Sequence, residues 1–254
     1  MTDLDPLLDP TGRIEPVQNA IIGGRSLWED ARARLFRNRA AVVSMWILGF
    51  LILFAVVGPF VWVHKYSTIS DLRTIAPTLE GLHPLGTDLQ GRDLLARLMI
   101  GLRISLMVGI VATAVSLVIG VSWGATAGYL GGRVDNFMMR IVDVLYALPF
   151  IFFVILLLTV FERNIVLIFA AIGAIEWLTM ARIVRGQTLA IKGKEFIEAA
   201  RASGVSRKDI IVRHILPNVI GPVAVYVTLT IPVVILAESF LSFLGLGVNE
   251  PLTS

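Results

Sequence analysis

Apolar residues fall in long blocks along this chain, with none of the two- or 3.6-residue recurrence of amphipathic elements around a soluble core. Residues 40–63, 104–130 and 215–237 contain no Asp, Glu, Lys or Arg. Each exceeds the roughly 20 apolar residues that a helix needs to cross a hydrocarbon layer of about 30 Å. Pro217, Pro222 and Pro232 interrupt the last block without adding charge. Two further blocks carry one acid each: 141–161 holds Asp143 near its start, and 164–180 holds Glu176 well inside. The pattern predicts an all-α polytopic membrane protein: an N-terminal segment 1–39, then a membrane domain 40–254 with five spans, at about 40–63, 104–130, 141–161, 164–181 and 215–238.

Composition agrees with the pattern. Only 16% of residues are charged and 56% are hydrophobic, where soluble domains carry about 25% and 45–50%. The net charge of +3 would suit a nucleic-acid binder, but in a membrane protein basic loops set topology instead. No cysteine is present, which removes disulfides, thiolate metal sites and cysteine nucleophiles together. His64, His83 and His214 lie far apart in sequence, so no histidine metal cage is expected.

The N-terminus does not read as a signal peptide, because residues 1–24 are acidic and interrupted by prolines, and the first apolar block starts near Ala40. Ser26-Leu27-Trp28-Glu29 forms a capping box ahead of Arg32, Arg34, Arg37 and Arg39, predicting an interfacial helix on the cytoplasmic side. Alternation from there places Arg133 and Arg140 inside, together with the basic loop 182–214. It leaves the turn at Glu162-Arg163 and the long segment 64–103 outside. In that outer segment, Thr87-Asp88-Leu89-Gln90 reads as a cap before Leu94, Leu95, Leu98 and Met99, predicting a helix along the outer membrane face. With five spans the chain would end outside, and a sixth span is expected beyond Ser254.

The loop 182–214 carries the strongest local signal. Residues 192–203 are rich in helix formers, and Gly204 supplies the left-handed residue that closes a helix. Ser206 with Asp209 then opens a second helix that leads through Ile210, Ile211, Ile215 and Leu216 to Pro217. The small side chains Ala199, Ala200, Ala202 and Ser203 would let another protein approach closely. A surface hairpin whose charges only solvate it accounts for the same residues. A DNA-reading helix-turn-helix is remote for a segment held between two spans.

Three other features carry alternatives. Gly120, Gly124 and Gly128 recur every fourth residue and predict a flat strip for close helix packing. The same glycines place Gly120-Val121-Ser122-Trp123-Gly124 in the nucleophile-elbow pattern. That pattern needs a strand-turn-helix and a histidine base, and no histidine falls inside a span. Asp143 and Glu176 suit either a translocation path or structural pairing with Arg140 and Arg182. An ion-coupled secondary transporter would use such acids and the helix-breaking prolines Pro222 and Pro232. No phosphate-binding loop is found, because Gly193-Lys194 is followed by Glu195 and lacks the upstream glycine.

Glu198-Ala199-Ala200, then Gly204, then Leu216-Pro217 resembles the Glu-Ala-Ala loop of ATP-binding-cassette importer permeases, with His214 where that pattern carries Ile. Further stretches make the chain similar to the C-type subunit of oligopeptide permeases: Gly86-Thr87-Asp88, Gly128-Tyr129-Leu130-Gly131-Gly132, Ala181-Arg182-Ile183-Val184-Arg185-Gly186 and Ser239-Phe240-Leu241-Ser242-Phe243-Leu244-Gly245-Leu246-Gly247. The resemblance implies a type I importer transmembrane domain in the bacterial inner membrane, with a transporter subunit's role and no catalytic residues. Glu195, Phe196, Glu198, Ala199, Ala200, Arg201, Ala202, Ser203 and Gly204 would then couple to an ATPase. It also implies a second homologous permease, two cytoplasmic ATPases holding the ATP and Mg, and an external peptide-binding protein. Oligopeptides are the implied cargo, with dipeptides or nickel ligands as alternatives within the family.

Overall fold

The computed structural model describes residues 27–149 and 165–246, with 152–153, 155–156 and 160 between them. The helices are α1 (Leu27–Arg37), α2 (Arg39–Val61), α3 (Leu94–Leu130), α4 (Gly132–Tyr146), α5 (Ile165–Lys192), α6 (Glu195–Ala202) and α7 (Arg207–Phe243). No strand occurs among the described residues. Three helices are long and apolar enough to cross a membrane, namely α2, α3 and α7. The block 141–161 meets the end of α4 at Tyr146, and residues 150–151, 154, 157–159 and 161 lie outside the described residues, as do Ser26, Glu162, Arg163 and Asn164. Helix α5 runs on to Lys192, past the expected end at 181.

The chain divides into two units between Leu51 and Ile52, inside α2. In the first, the Asn38 carboxamide oxygen accepts from the N–H groups of Ala40 and Ala41 and so caps α2. Trp46 and Phe50 are exposed along α2, as expected of a helix that meets lipid.

In the second unit α3 is the central helix. About 44% of its most apolar stretch is buried, against 6% for α2, so α3 is the more enclosed of the two. Near one end Val108, Ala112, Ile172, Val234 and Leu241 form a core between α3, α5 and α7. Toward the other end Ala125, Tyr129, Met180, Val184, Val219 and Val223 continue it. A third cluster joins Val142 of α4 to Trp177, Leu178 and Ala181 of α5, and Trp123 meets Trp177 edge to face at 5.3 Å.

The segment ahead of α3 corrects one expectation. Residues 94–99 form the first turns of α3, a single helix of 37 residues and roughly 55 Å, with no separate helix lying along the membrane face. The cap is Asp93, whose carboxylate accepts from the Ala96 N–H at 2.7 Å and from Trp62 Nε1 at 3.1 Å, and pairs with His83 Nδ1 at 2.8 Å. Thr87 instead ties the loop together, its hydroxyl donating to the Leu72 carbonyl and accepting from the Ile75 N–H. Arg133 and Arg140, read in sequence as lying between the second and third spans, are on α4, because Gly131 with φ +67° turns the chain from α3 directly into a new helix.

Burial opposes the charge on Asp88, but the N–H groups of Arg92 and Gln90 and the Arg97 guanidinium outweigh it and hold its carboxyl below the ordinary value of 3.8. A depressed folded value contributes stability above the unfolded one and loses it as pH falls through the folded one. Asp88→Asn should therefore lower the melting temperature of the purified protein at pH 7, with the difference shrinking below pH 3.8. A difference that grows in acid contradicts this reading.

Candidate functional site

The loop between α5 and α7 folds as an elbow. Helix α6 closes in a Schellman motif: the Val205 N–H donates to the Ala200 carbonyl and the Gly204 N–H to the Arg201 carbonyl, each at 3.1 Å. Gly204 holds φ +77° there. A Cβ on it would meet nothing within 4 Å, so backbone conformation, not space, calls for glycine. Ser206 caps α7 at once, its hydroxyl accepting from the Asp209 N–H and donating to the Asp209 carboxylate at 2.6 Å.

The elbow has two faces. Ile197 and Ala200 are buried in the core shared by α3, α5 and α7, while Glu195, Phe196, Glu198, Ala199, Arg201, Ala202, Ser203 and Gly204 are exposed. Phe196 is 44% exposed, a large apolar group amid small side chains and two carboxylates. Directly after the turn, Ile210–Ile215 form one π-helical turn whose Ile210 and Ile215 join the same core. Ile197, Ala200, Ile210 and Ile215 thus tie α6 and the start of α7 into the core of α3, α5 and α7. His214 is half-buried in that turn, and its carbonyl accepts from the Asn218 side chain.

The glycines of α3 face α5. A Cβ on Gly120 would lie 2.6 Å from Met180 Cβ, one on Gly124 2.3 Å from the Ala181 carbonyl oxygen, and one on Gly128 2.8 Å from Thr188 Cβ. Ser122, of the elbow-like pattern, bonds back onto its own helix, its hydroxyl 2.7 Å from the Val118 carbonyl. A hydroxyl so engaged on a regular helix has no nucleophile geometry.

Of the two acids singled out in sequence, Asp143 pairs with Arg182 at 2.8 Å, not with its helix neighbour Arg140, and the Arg182 guanidinium also lies 4.3 Å from the Tyr146 ring centre. Glu176 lines a cavity of about 340 Å³ together with Tyr146, Phe153 and Thr179. Among the described residues no ion pair reaches it.

Three features escaped the sequence reading. Glu238 is fully buried in α7 and accepts from Ser105 of α3 at 3.3 Å and from Ser242 at 3.0 Å. Its position one residue past the charge-free block was the available signal. Arg185 forks onto Asp135 of α4 at 2.6 and 2.7 Å. The rings of His64 and His83, distant in sequence, stack at 4.2 Å.

Comparison with known proteins places this geometry. The family described as binding-protein-dependent transport system inner membrane component matches residues 116–253, and the N-terminal TM domain of oligopeptide transport permease C matches residues 26–79. The oligopeptide transport system permease protein of Haemophilus influenzae is 56% identical over 243 residues, covering 95% of this chain and 77% of that protein. Its Escherichia coli counterpart is 55% identical, over 92% of this chain and 78% of its own length. A dipeptide transport system permease protein of Bacillus subtilis is 44% identical, over 90% of this chain and 71% of its own. All three are transport system permease proteins. The chain belongs to the family of inner membrane components of binding-protein-dependent transport systems, as a C-type permease subunit of the oligopeptide branch.

Proposed function

We propose that this chain forms half of the translocation pathway of an importer driven by ATP-binding-cassette subunits, and that its elbow is the handle through which those subunits move it. The observation that carries the proposal is the two-faced α6: one face is locked by Ile197 and Ala200 into the core of α3, α5 and α7, and the other presents Phe196, Glu198, Ala199, Ala202 and Ser203 outward. Such a face fits a groove on a cytoplasmic ATPase, with Phe196 as its apolar anchor. The small residues admit close approach. In this reading ATP and Mg are bound by two ATPase partners and no cofactor by this chain. A second, homologous permease completes the pathway, and an external peptide-binding protein delivers cargo.

The N-terminus then faces the cytoplasm of a bacterial cell, five spans cross the inner membrane, and motion of the elbow opens the pathway alternately to the two sides. Glu176, in its cavity beside Tyr146, is the acid assigned to the path. Asp143, held by Arg182, is assigned to positioning α4 on α5. Oligopeptides are the assigned cargo. Dipeptides are the second reading, favoured by the 44% identity to a dipeptide permease, and competition of labelled tetrapeptide uptake by unlabelled dipeptide separates the two.

Gly204→Val tests the handle. Forcing a β-branched residue into φ +77° costs about 1–2 kcal/mol locally and redirects the turn. The variant should insert and assemble normally, keep hydrolysing ATP, and lose most peptide uptake. Normal uptake by a fully inserted variant contradicts the assignment.

A further inference from the structure

A cavity of about 430 Å³ lies beneath the elbow, lined by Tyr129, Leu130, Lys192, Arg201, Val205 and Arg207 among others. Its polar lining is cationic. The Lys192 ammonium and the Arg201 guanidinium stand 5.8 and 5.9 Å from the centre of the Tyr129 ring, which is itself buried. Among the described residues no carboxylate pairs with Lys192, Arg201 or Arg207, although Asp209 close by is occupied by Arg213 and Ser206. Three cations gathered in one cavity repel one another unless an anion joins them.

The depth of the cavity identifies the anion. Leu130 is the last residue of α3, Lys192 the last of α5 and Arg207 the first of α7. Three long helices thus end beside one another, on the side where their apolar blocks give way to basic residues, as at a headgroup layer. Lys192 Nζ lies 3.0 Å from where a Cβ on Gly131 would stand, at the start of α4, so the amide end of that helix adds partial positive charge. Half-exposed Leu130 gives an acyl chain an apolar wall. We propose that this cavity binds the phosphate headgroup of an anionic phospholipid, with Lys192, Arg201 and Arg207 as its cationic ligands and Tyr129 as its floor. A bound lipid would bridge α6 to the ends of α3, α5 and α7, stiffening the elbow. The inference rests on these helices spanning the membrane and not on α6 meeting an ATPase.

The test uses the transporter purified with its natural partners, stripped of lipid in detergent and titrated with phosphatidylglycerol while bound lipid is counted by native mass spectrometry. The wild type should retain one more phosphatidylglycerol than Lys192→Gln/Arg201→Gln/Arg207→Gln, with affinity falling roughly five-fold for each charge removed. Arg207→Gln alone, at an exposed position off the Tyr129 ring, keeps the test open should the triple variant fail to assemble. Phosphatidylcholine should bind at least five-fold more weakly, and millimolar inorganic phosphate should not displace the lipid. Equal retention by the variants, equal binding of phosphatidylcholine, or full displacement by phosphate overturns the proposal. Copurification of the ATPases is read in the same spectra, so loss of coupling and loss of lipid are told apart.

Discussion

Gly124→Leu should abolish accumulation of folded protein, and Gly124→Ala should lower it severely, while Gly221→Ala leaves it unchanged or slightly raised. The reason is what each new Cβ meets. At Gly124 it falls 2.3 Å from the Ala181 carbonyl oxygen and 2.9 Å from the Arg185 nitrogen, both backbone atoms of α5 that no rotamer change can withdraw. The helices must part, which forfeits contacts along the whole α3 and α5 seam and costs at least the 1–3 kcal/mol or so of ordinary overpacking. At Gly221 nothing lies within 4 Å, and a helical Gly→Ala change gains about 0.5–1 kcal/mol. Yield of monodisperse protein after detergent extraction, with melting temperature, checks both. Equal stability of Gly124→Ala and wild type would show that the α3 and α5 seam is not close-packed.

The second large effect is expected at Arg185 and Asp135. The two form a bidentate pair at 2.6 and 2.7 Å, with the Asp135 side chain only 9% exposed and that of Arg185 33%. An arginine guanidinium is not deprotonated in a protein, so the pair is ionic. Arg185→Met should destabilise by about 2–3 kcal/mol, below the 3–5 of fully buried pairs because the guanidinium is partly solvated. Most of that loss is the uncompensated Asp135. Adding Asp135→Asn to Arg185→Met should therefore recover more than half of it, and thermal melts of the four proteins in a double-mutant cycle measure the recovery. Strictly additive losses contradict the pairing.

The parts of the fold that were legible in sequence are those decided locally. Uninterrupted apolar blocks announce α2, α3 and α7, and Gly204 with Ser206 announces the elbow, because a left-handed residue and a capping hydroxyl act on their immediate neighbours. What was illegible depends on distant partners. Thr87 has the spacing of a cap, but Asp93 takes that role because Trp62 and His83, brought in from before it, fix its carboxylate at the head of α3. Arg140 sits one turn from Asp143, yet Arg182 of another helix reaches it. The basic cavity needed three helix ends to be set side by side. The two faces of α6 were visible only as small residues, since its sequence does not tell which of Ile197 and Phe196 turns inward.

Residue 199 offers the most direct test of the handle itself. The chain has no cysteine, so Ala199→Cys introduces a unique thiol on the exposed face of α6. A membrane-impermeant maleimide should label it in inside-out vesicles prepared without the ATPases, leave it unlabelled in intact spheroplasts, and be excluded once the ATPases are added back. Labelling from the outside of intact spheroplasts, or labelling that bound ATPases leave unchanged, contradicts the account.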